Sequence, residues 1–178
     1  MNAIEVNNFW FNEIPAKNWW VKDPKFDQAL RERFLTLHSQ AMAGELAHWR
    51  QSPQGRLAEI IVLDQFSRNM FRDSPAAFAS DPLALCLSQT AIATGDDLKL
   101  SSIERQFLYM PFMHSESKLI HAQAEKLFKQ LPEHGYDFEL KHKVIIDRFG
   151  RYPHRNKILG RESTPEELEF LQQPNSSF

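Results

Sequence analysis

Five times in this chain an oxygen-bearing side chain stands directly before a proline: Asp23-Pro24, Ser52-Pro53, Ser74-Pro75, Asp81-Pro82 and Thr164-Pro165. Each pair is a start signal for a helix. The oxygen accepts a hydrogen bond from a backbone N–H that the first turn leaves unpaired, and proline's missing N–H costs nothing there. Glu167 three residues after Thr164, and Glu104 three after Ser101, add capping boxes. The apolar spacing agrees. Phe26, Leu30, Phe34, Leu37 and Ala41 form one helical stripe that ends near Gly44, and Leu83, Leu87 and Ala91 form a second closed by Gly95. Ile103, Phe107 and Met110 lead into Pro111, where a helix should stop or kink. Leu119, Leu127 and Leu131 mark another helix, and Phe138, Val144, Ile145 and Phe149 one more. No stretch alternates apolar and polar residues between turn dipeptides. The expectation is an all-α chain of about eight helices with no sheet, one domain over residues 1–172 and a frayed tail over 173–178.

At 178 residues, with 14 Phe and 4 Trp, the chain can build one sizeable core. Cys86 is the single cysteine, so neither an internal disulfide nor a Cys-based zinc site is supported. The first residues lack the pattern of a signal peptide, and the longest strongly apolar run, Ile60 to Leu63, is far short of the roughly 20 residues of a membrane span. A cytoplasmic chain without a membrane segment is expected. The net charge of -2 is unevenly spread: residues 141–161 hold seven Lys/Arg and one Asp, or +6, while the remainder holds 14 against 22, or -8. Such segregation points to an anionic partner or to acidic neighbours within the fold.

Charge enters the helical pattern in three places. On a helix through Leu57–Arg72, Leu57, Ile60, Ile61, Asp64 and Arg68 share a stripe, with Arg72 at its edge and Leu63, Phe66 and Met70 apolar on the other side. A charge in so buried a helix must be paired, and Asp64 and Arg68 at i,i+4 can pair with each other. The functional alternative is that Arg68 or Arg72 binds an anion, with amide contacts from Gln65 and Asn69. The second place runs from Asp147 through Arg148, Arg151, His154, Arg155 and Asn156 to Arg161, where Gly150 and Pro153 would set a loop. Converging guanidinium groups suit a carboxylate or phosphate, or else a charged network with Asp147, Glu162 and the C-terminal acids. The third is His114-Ser115-Glu116, read as a helix N-terminus after the Pro111 break. His114 or His154 beside Asp64 or Asp147 could move protons. A metal set of His114, Glu116, His142 and His154 has no recognised ligand spacing, and His142 reads as a hydrogen-bonded core histidine; no metal or cofactor is assigned. Asp64-x-Phe66-x-Arg68-x-x-x-Arg72 recurs as Asp147-x-Phe149-x-Arg151-x-x-x-Arg155, which two related helical units or coincidence would produce.

Several of these stretches together resemble a bacterial family, the domain of unknown function 924: Phe9-Trp10-Phe11, Trp19-Trp20, Gly44-Glu45-Leu46, Leu63-Asp64-Gln65-Phe66-x-Arg68-Asn69, Pro111-Phe112-x-His114-Ser115-Glu116, and Arg148-Phe149-Gly150-Arg151 on through Pro153-His154-Arg155-Asn156 to Leu159-Gly160-Arg161. The resemblance spans nearly the whole chain. It implies an all-helical fold similar to the tetratricopeptide-repeat superfamily, and no activity. Ser67 departs from it, since proline is expected there, and the repeat signature itself is not visible. Two functions follow as expectations: a pocket for a small anionic molecule lined by Arg, His and Asp, or a helical scaffold for a protein partner with the charges as structural pairs. Nucleic-acid binding is disfavoured by the mildly acidic chain and the lack of a binding motif.

Overall fold

Four of the five capped prolines begin helical turns. The computed structural model describes residues 1–131 and 135–177. In it Asp23 accepts from the N–H groups of Lys25 and Phe26 at the head of α2 (Pro24–Met42), and Ser52 accepts from Gly55 at the head of α3 (Pro53–Ile61). Ser74 precedes a short 3-10 turn, Pro75–Ala77, and Thr164 forms the expected capping box at α9 (Pro165–Phe170). The fifth differs. Helix α5 (Asp81–Ala93) includes Asp81 and is preceded by Ser80, so the Asp81 carboxylate is left for tertiary partners.

The other helices are α1 (Ala3–Asn8), α4 (Ser67–Met70), α6 (Ser102–Met113), α7 (Lys118–Phe128) and α8 (Gly135–Phe149). A π-helical turn, Val62–Phe66, joins α3 to α4 without a break, and another, Phe9–Glu13, extends α1. Among the described residues the nine α-helical stretches thus make eight rods, and no strand occurs.

The α3–α4 rod is the centre. Every residue from Leu57 to Ser67 is buried, because α1, α2, α5 and α6 surround it. Phe9, Trp10, Phe34, Phe66 and Phe107 interlock there edge to face or tilted. Each such side chain contributes about 1.5–3 kcal/mol on burial. Helices α7 and α8 pack outward from α6, and a small second core of Ile145, Ile146 and Tyr152 meets Phe149 and Phe170.

Three local expectations change on contact with this packing. Helix α6 does not stop at Pro111 but runs on to Met113. Proline in the last turn removes a single ladder bond, and Phe107 to Met113 are all buried, so packing wins. His114 therefore caps the C-terminus of α6 instead of opening a helix; α7 begins later, with Ser117 as its cap. Along α7 Leu119 is exposed while His121, Ala124 and Phe128 are buried. Along α8 Phe138 and Val144 are exposed, and Glu139 and His142 lie inside with Ile145 and Ile146. The buried His121–Glu139 pair between α7 and α8 turns these helices onto faces that an apolar pattern alone would not select.

Candidate functional site

The π-helical turn puts Asp64 at the middle of the buried rod. A widened turn of this kind opens backbone carbonyls to side chains and is common at functional positions. Here the Leu63 carbonyl accepts from both Ser67 Oγ (2.6 Å) and Ser80 Oγ (2.5 Å), and the Asp64 carbonyl accepts from Arg68 Nη1 (2.9 Å). Ser67 also touches His38 Nε2 at 2.7 Å. A proline at 67 would crowd the carbonyl four residues back, which is Leu63, so a widened turn suits either residue.

Three neighbours satisfy the Asp64 carboxylate. Arg68 Nη1 lies 3.1 Å away, the i,i+4 pairing that the sequence predicts, and Gln65 Nε2 donates at 2.6 Å while also meeting Met110. His114 Nδ1 lies 2.8 Å from Oδ1. Burial would raise the Asp64 pKa, but Arg68 and His114 outweigh it and hold the carboxyl well below its usual range. Burial, followed by the charge of Arg68, pushes His114 down, so the imidazole is neutral near pH 7. An ionised carboxylate can only accept, so the one imidazole N–H is on Nδ1, and Nε2 carries a lone pair. Nε2 makes no hydrogen bond among the described residues.

From Arg68 the network continues to a residue that the sequence pattern marks as a helix cap. Asp81 receives both Arg68 nitrogens at 3.0 Å and Arg155 Nη1 at 3.4 Å. Arg155 lies between the rings of Phe78 (4.6 Å) and Tyr152 (4.5 Å), which hold its plane by cation–π contact. It is 6% exposed, its Nε has no partner, and the long contact to Asp81 is its side chain's one hydrogen bond among the described residues. A buried guanidinium with most donors unfilled is the arrangement that an incoming anion completes.

The remaining predicted residues divide into neighbours and outliers. Glu116 and Arg161 pair bidentately (2.5 and 2.8 Å) beside Tyr152, whose N–H donates to Glu116. Burial raises Glu116, yet Arg161 and that N–H bring it below its usual range. Arg161 also reaches Asn156, and Asn156 touches Glu167, which Arg151 grips bidentately (2.6 and 2.8 Å). Arg151 first of all lowers Glu167 to about 2. His154 lies beside Tyr152, with rings 5.4 Å apart, and its Nδ1 is buried without a partner among the described residues. Elsewhere, Arg148 meets Glu166 at the surface, Asp147 meets Lys143, and Arg72 and Asn69 both hold Asp27 beside an open cleft of about 260 Å³. The Asp147 segment does not repeat the role of the Asp64 segment, since Asp147 is exposed and Asp64 is buried. Among the described residues no three His, Cys, Asp or Glu gather as metal ligands would. None of their helices is long and apolar enough to cross a membrane.

Sequence reasoning does not single out Asp81 as a site residue, nor Phe78 and Tyr152. For Asp81 the proline after it masks the signal. For the two rings there is no local signal to find, because stacking on Arg155 is made only by the fold.

A family model for bacterial proteins of unknown function (DUF924) matches residues 6–175. Among solved structures, that of the protein of unknown function ATU0120 from Agrobacterium tumefaciens is similar over 96% of this chain and 96% of its own, at 38% sequence identity and a TM-score of 0.91. No curated protein matches the chain.

Proposed function

The chain belongs to the DUF924 family of bacterial proteins, and we propose that it binds a small carboxylate- or phosphate-bearing molecule beside Arg155 and uses His114, oriented by Asp64, as a general base. The observation that carries this reading is that one buried network holds an imidazole nitrogen with no hydrogen bond among the described residues and an underfilled guanidinium. Asp64 sets the His114 tautomer, which leaves Nε2 as the basic atom. Arg68 and Arg161 are already held by carboxylates, so of these three arginines it is Arg155 that offers its fork, which favours a ligand with a single anionic group over a polyphosphate.

A thermal-shift screen of small carboxylates and phosphate monoesters tests it. A ligand at 100 times its Kd stabilises by about 2.7 kcal/mol, or roughly 5–10 °C for a chain of this size. The shift should vanish in Arg155→Lys, which keeps the charge but loses the fork, and should persist in Arg148→Ala. His114→Gln should retain binding and lose any turnover. If no anion shifts the melting temperature, or Arg155→Lys responds like the parent, the reading fails.

The competing reading is an interaction scaffold of tetratricopeptide-like architecture. Its partner would enter the groove of about 530 Å³ lined by Ile4, Asn7, Phe11, Trp19, Gln54 and Ile103. Binding there would be sensitive to Trp19 and indifferent to Arg155.

A further inference from the structure

Close behind His114 the protein buries a histidine against a glutamate. His121 on α7 and Glu139 on α8 are both 0% exposed, with Nδ1 and Oε1 2.7 Å apart. The proton count of this pair can be read from its partners. His121 Nε2 is 2.9 Å from the Ser115 carbonyl, which can only accept, and 3.2 Å from Tyr152 Oη. Tyr152 has one O–H and donates it to the Met113 carbonyl at 2.5 Å, so toward His121 its oxygen can only accept as well. Two independent contacts thus require a hydrogen on Nε2. The 2.7 Å contact at Nδ1 then needs a second proton, either on the imidazole facing a carboxylate or on Glu139 facing a neutral ring.

The other oxygen decides between them. Glu139 Oε2 is buried and has no hydrogen-bond partner among the described residues. An ionised carboxylate would leave a charged oxygen bare, at a far larger cost than a bare carbonyl oxygen. The charged groups that act on Glu139 are His121, Lys143 and Glu125, and Lys143 is turned to Asp147 at the surface. From the other side, Tyr152 is flanked by His142 and His154, both pushed down by burial, by Glu116 and Arg161, which pair with each other, and by Arg155 on its ring. We propose that Glu139 is a neutral carboxylic acid at neutral pH, that it donates to the neutral Nε2–H tautomer of His121, and that this pair positions His114. Burial pushes Glu139 above its usual range, in the same direction.

The positioning follows from what the pair holds. His121 takes the Ser115 carbonyl, Tyr152 takes the Met113 carbonyl, and the Tyr152 N–H takes Glu116. His114 lies between those anchors, so the direction of its Nδ1 toward Asp64 depends on the proton that Glu139 keeps. Only this consequence for catalysis rests on reading His114 as the base. Glu139 and His121 are positioning residues, with no contact to a ligand assigned.

The test is imidazole nitrogen NMR at pH 7 together with two variants. In the parent, His121 should show a protonated Nε2 and a bare Nδ1. Glu139→Gln supplies a carboxamide N–H in place of the acid O–H, so it should keep the parent melting temperature and the His114 resonances. Glu139→Ala strands Nδ1 and should lower the melting temperature by about 5 °C while shifting or broadening the His114 Nδ1–H signal. An imidazolium at His121, or a Glu139→Gln variant as impaired as Glu139→Ala, overturns the neutral pair. Unchanged His114 resonances in a folded Glu139→Ala overturn the positioning role. If Glu139→Ala does not fold, the parent spectrum and Glu139→Gln still decide the proton's place, and His121→Asn, read at the same His114 signal, decides the positioning. No readout here uses the anion, so failure of the ligand reading and failure of this one are told apart.

Discussion

Asp64 and Arg68 stand four residues apart on one helix face, a spacing that marks them as an ion pair. It carries no mark of their other partners in space. Arg68 serves two carboxylates, Asp64 and Asp81, and both are largely buried with it. Replacing Arg68 by Met should therefore leave two buried acids short of a cation and cost about 3–5 kcal/mol in urea unfolding. Arg148→Ala, which breaks an exposed pair with Glu166, should cost roughly 0–1 kcal/mol. Comparable losses from the two would mean that burial does not govern these pairs. The same distinction separates the predicted site residues: Arg151, Arg161 and Arg72 have their forks filled by Glu167, Glu116 and Asp27, while Arg155 does not.

Within single helices, caps and stripes are legible where the signal is local, as in α2 and at Thr164. They mislead where packing opposes propensity. Gly55 gives a sharp test. Alanine in a helix interior ordinarily gains about 1 kcal/mol over glycine, yet a Cβ at 55 would stand 1.9 Å from the Trp49 carbonyl oxygen. Gly55→Ala should consequently destabilise, by roughly 1–3 kcal/mol, and a gain in melting temperature would refute the close approach. The π-helical turn gives another. Removing both hydroxyls with Ser67→Ala and Ser80→Ala strips the side-chain donors from the Leu63 carbonyl and leaves His38 without Ser67. A joint loss of about 1–3 kcal/mol that departs from the sum of the two single losses would show that they act on one group. No pattern in the sequence announces this turn, because it differs from an α-helix by one residue of register in a uniformly buried stretch.

Across the whole molecule, acid should act through buried histidines first. Burial, the largest cause for each, holds His142 at about 3 and His154 at about 4. Near pH 7.5 both are neutral folded and unfolded, so they bias nothing. Below about 6.5 the unfolded chain takes up protons that the folded chain refuses, and stability falls as pH drops. Between pH 7 and 4.5 these two histidines should cost roughly 3–5 kcal/mol. Glu139, which keeps its proton in the folded chain, works the other way, because the unfolded chain gives that proton up above the ordinary carboxylate range. Asp64 and Glu116, held low by their cations, and Glu167 at about 2 add to the loss only below the ordinary carboxylate range. Urea midpoints of Glu139→Gln, which removes that opposing carboxyl, at pH 7.5, 5.5 and 4.5 measure the histidine contribution, and a flat profile down to pH 5 would contradict the neutral histidine cluster.

That the chain is helical and where most of its helices begin are written in local sequence. Those signals act within a turn or two of one helix, where a cap oxygen, a proline or an apolar repeat meets its partner without help from the rest of the chain. Which charges stay free is a matter of packing. His114 meets Asp64 across 50 residues, Arg161 meets Glu116 across 45, and Arg155 reaches Asp81 across 74. Each of those pairings depends on the angle at which whole helices pack around the α3–α4 rod, and side chains four residues apart carry no record of it.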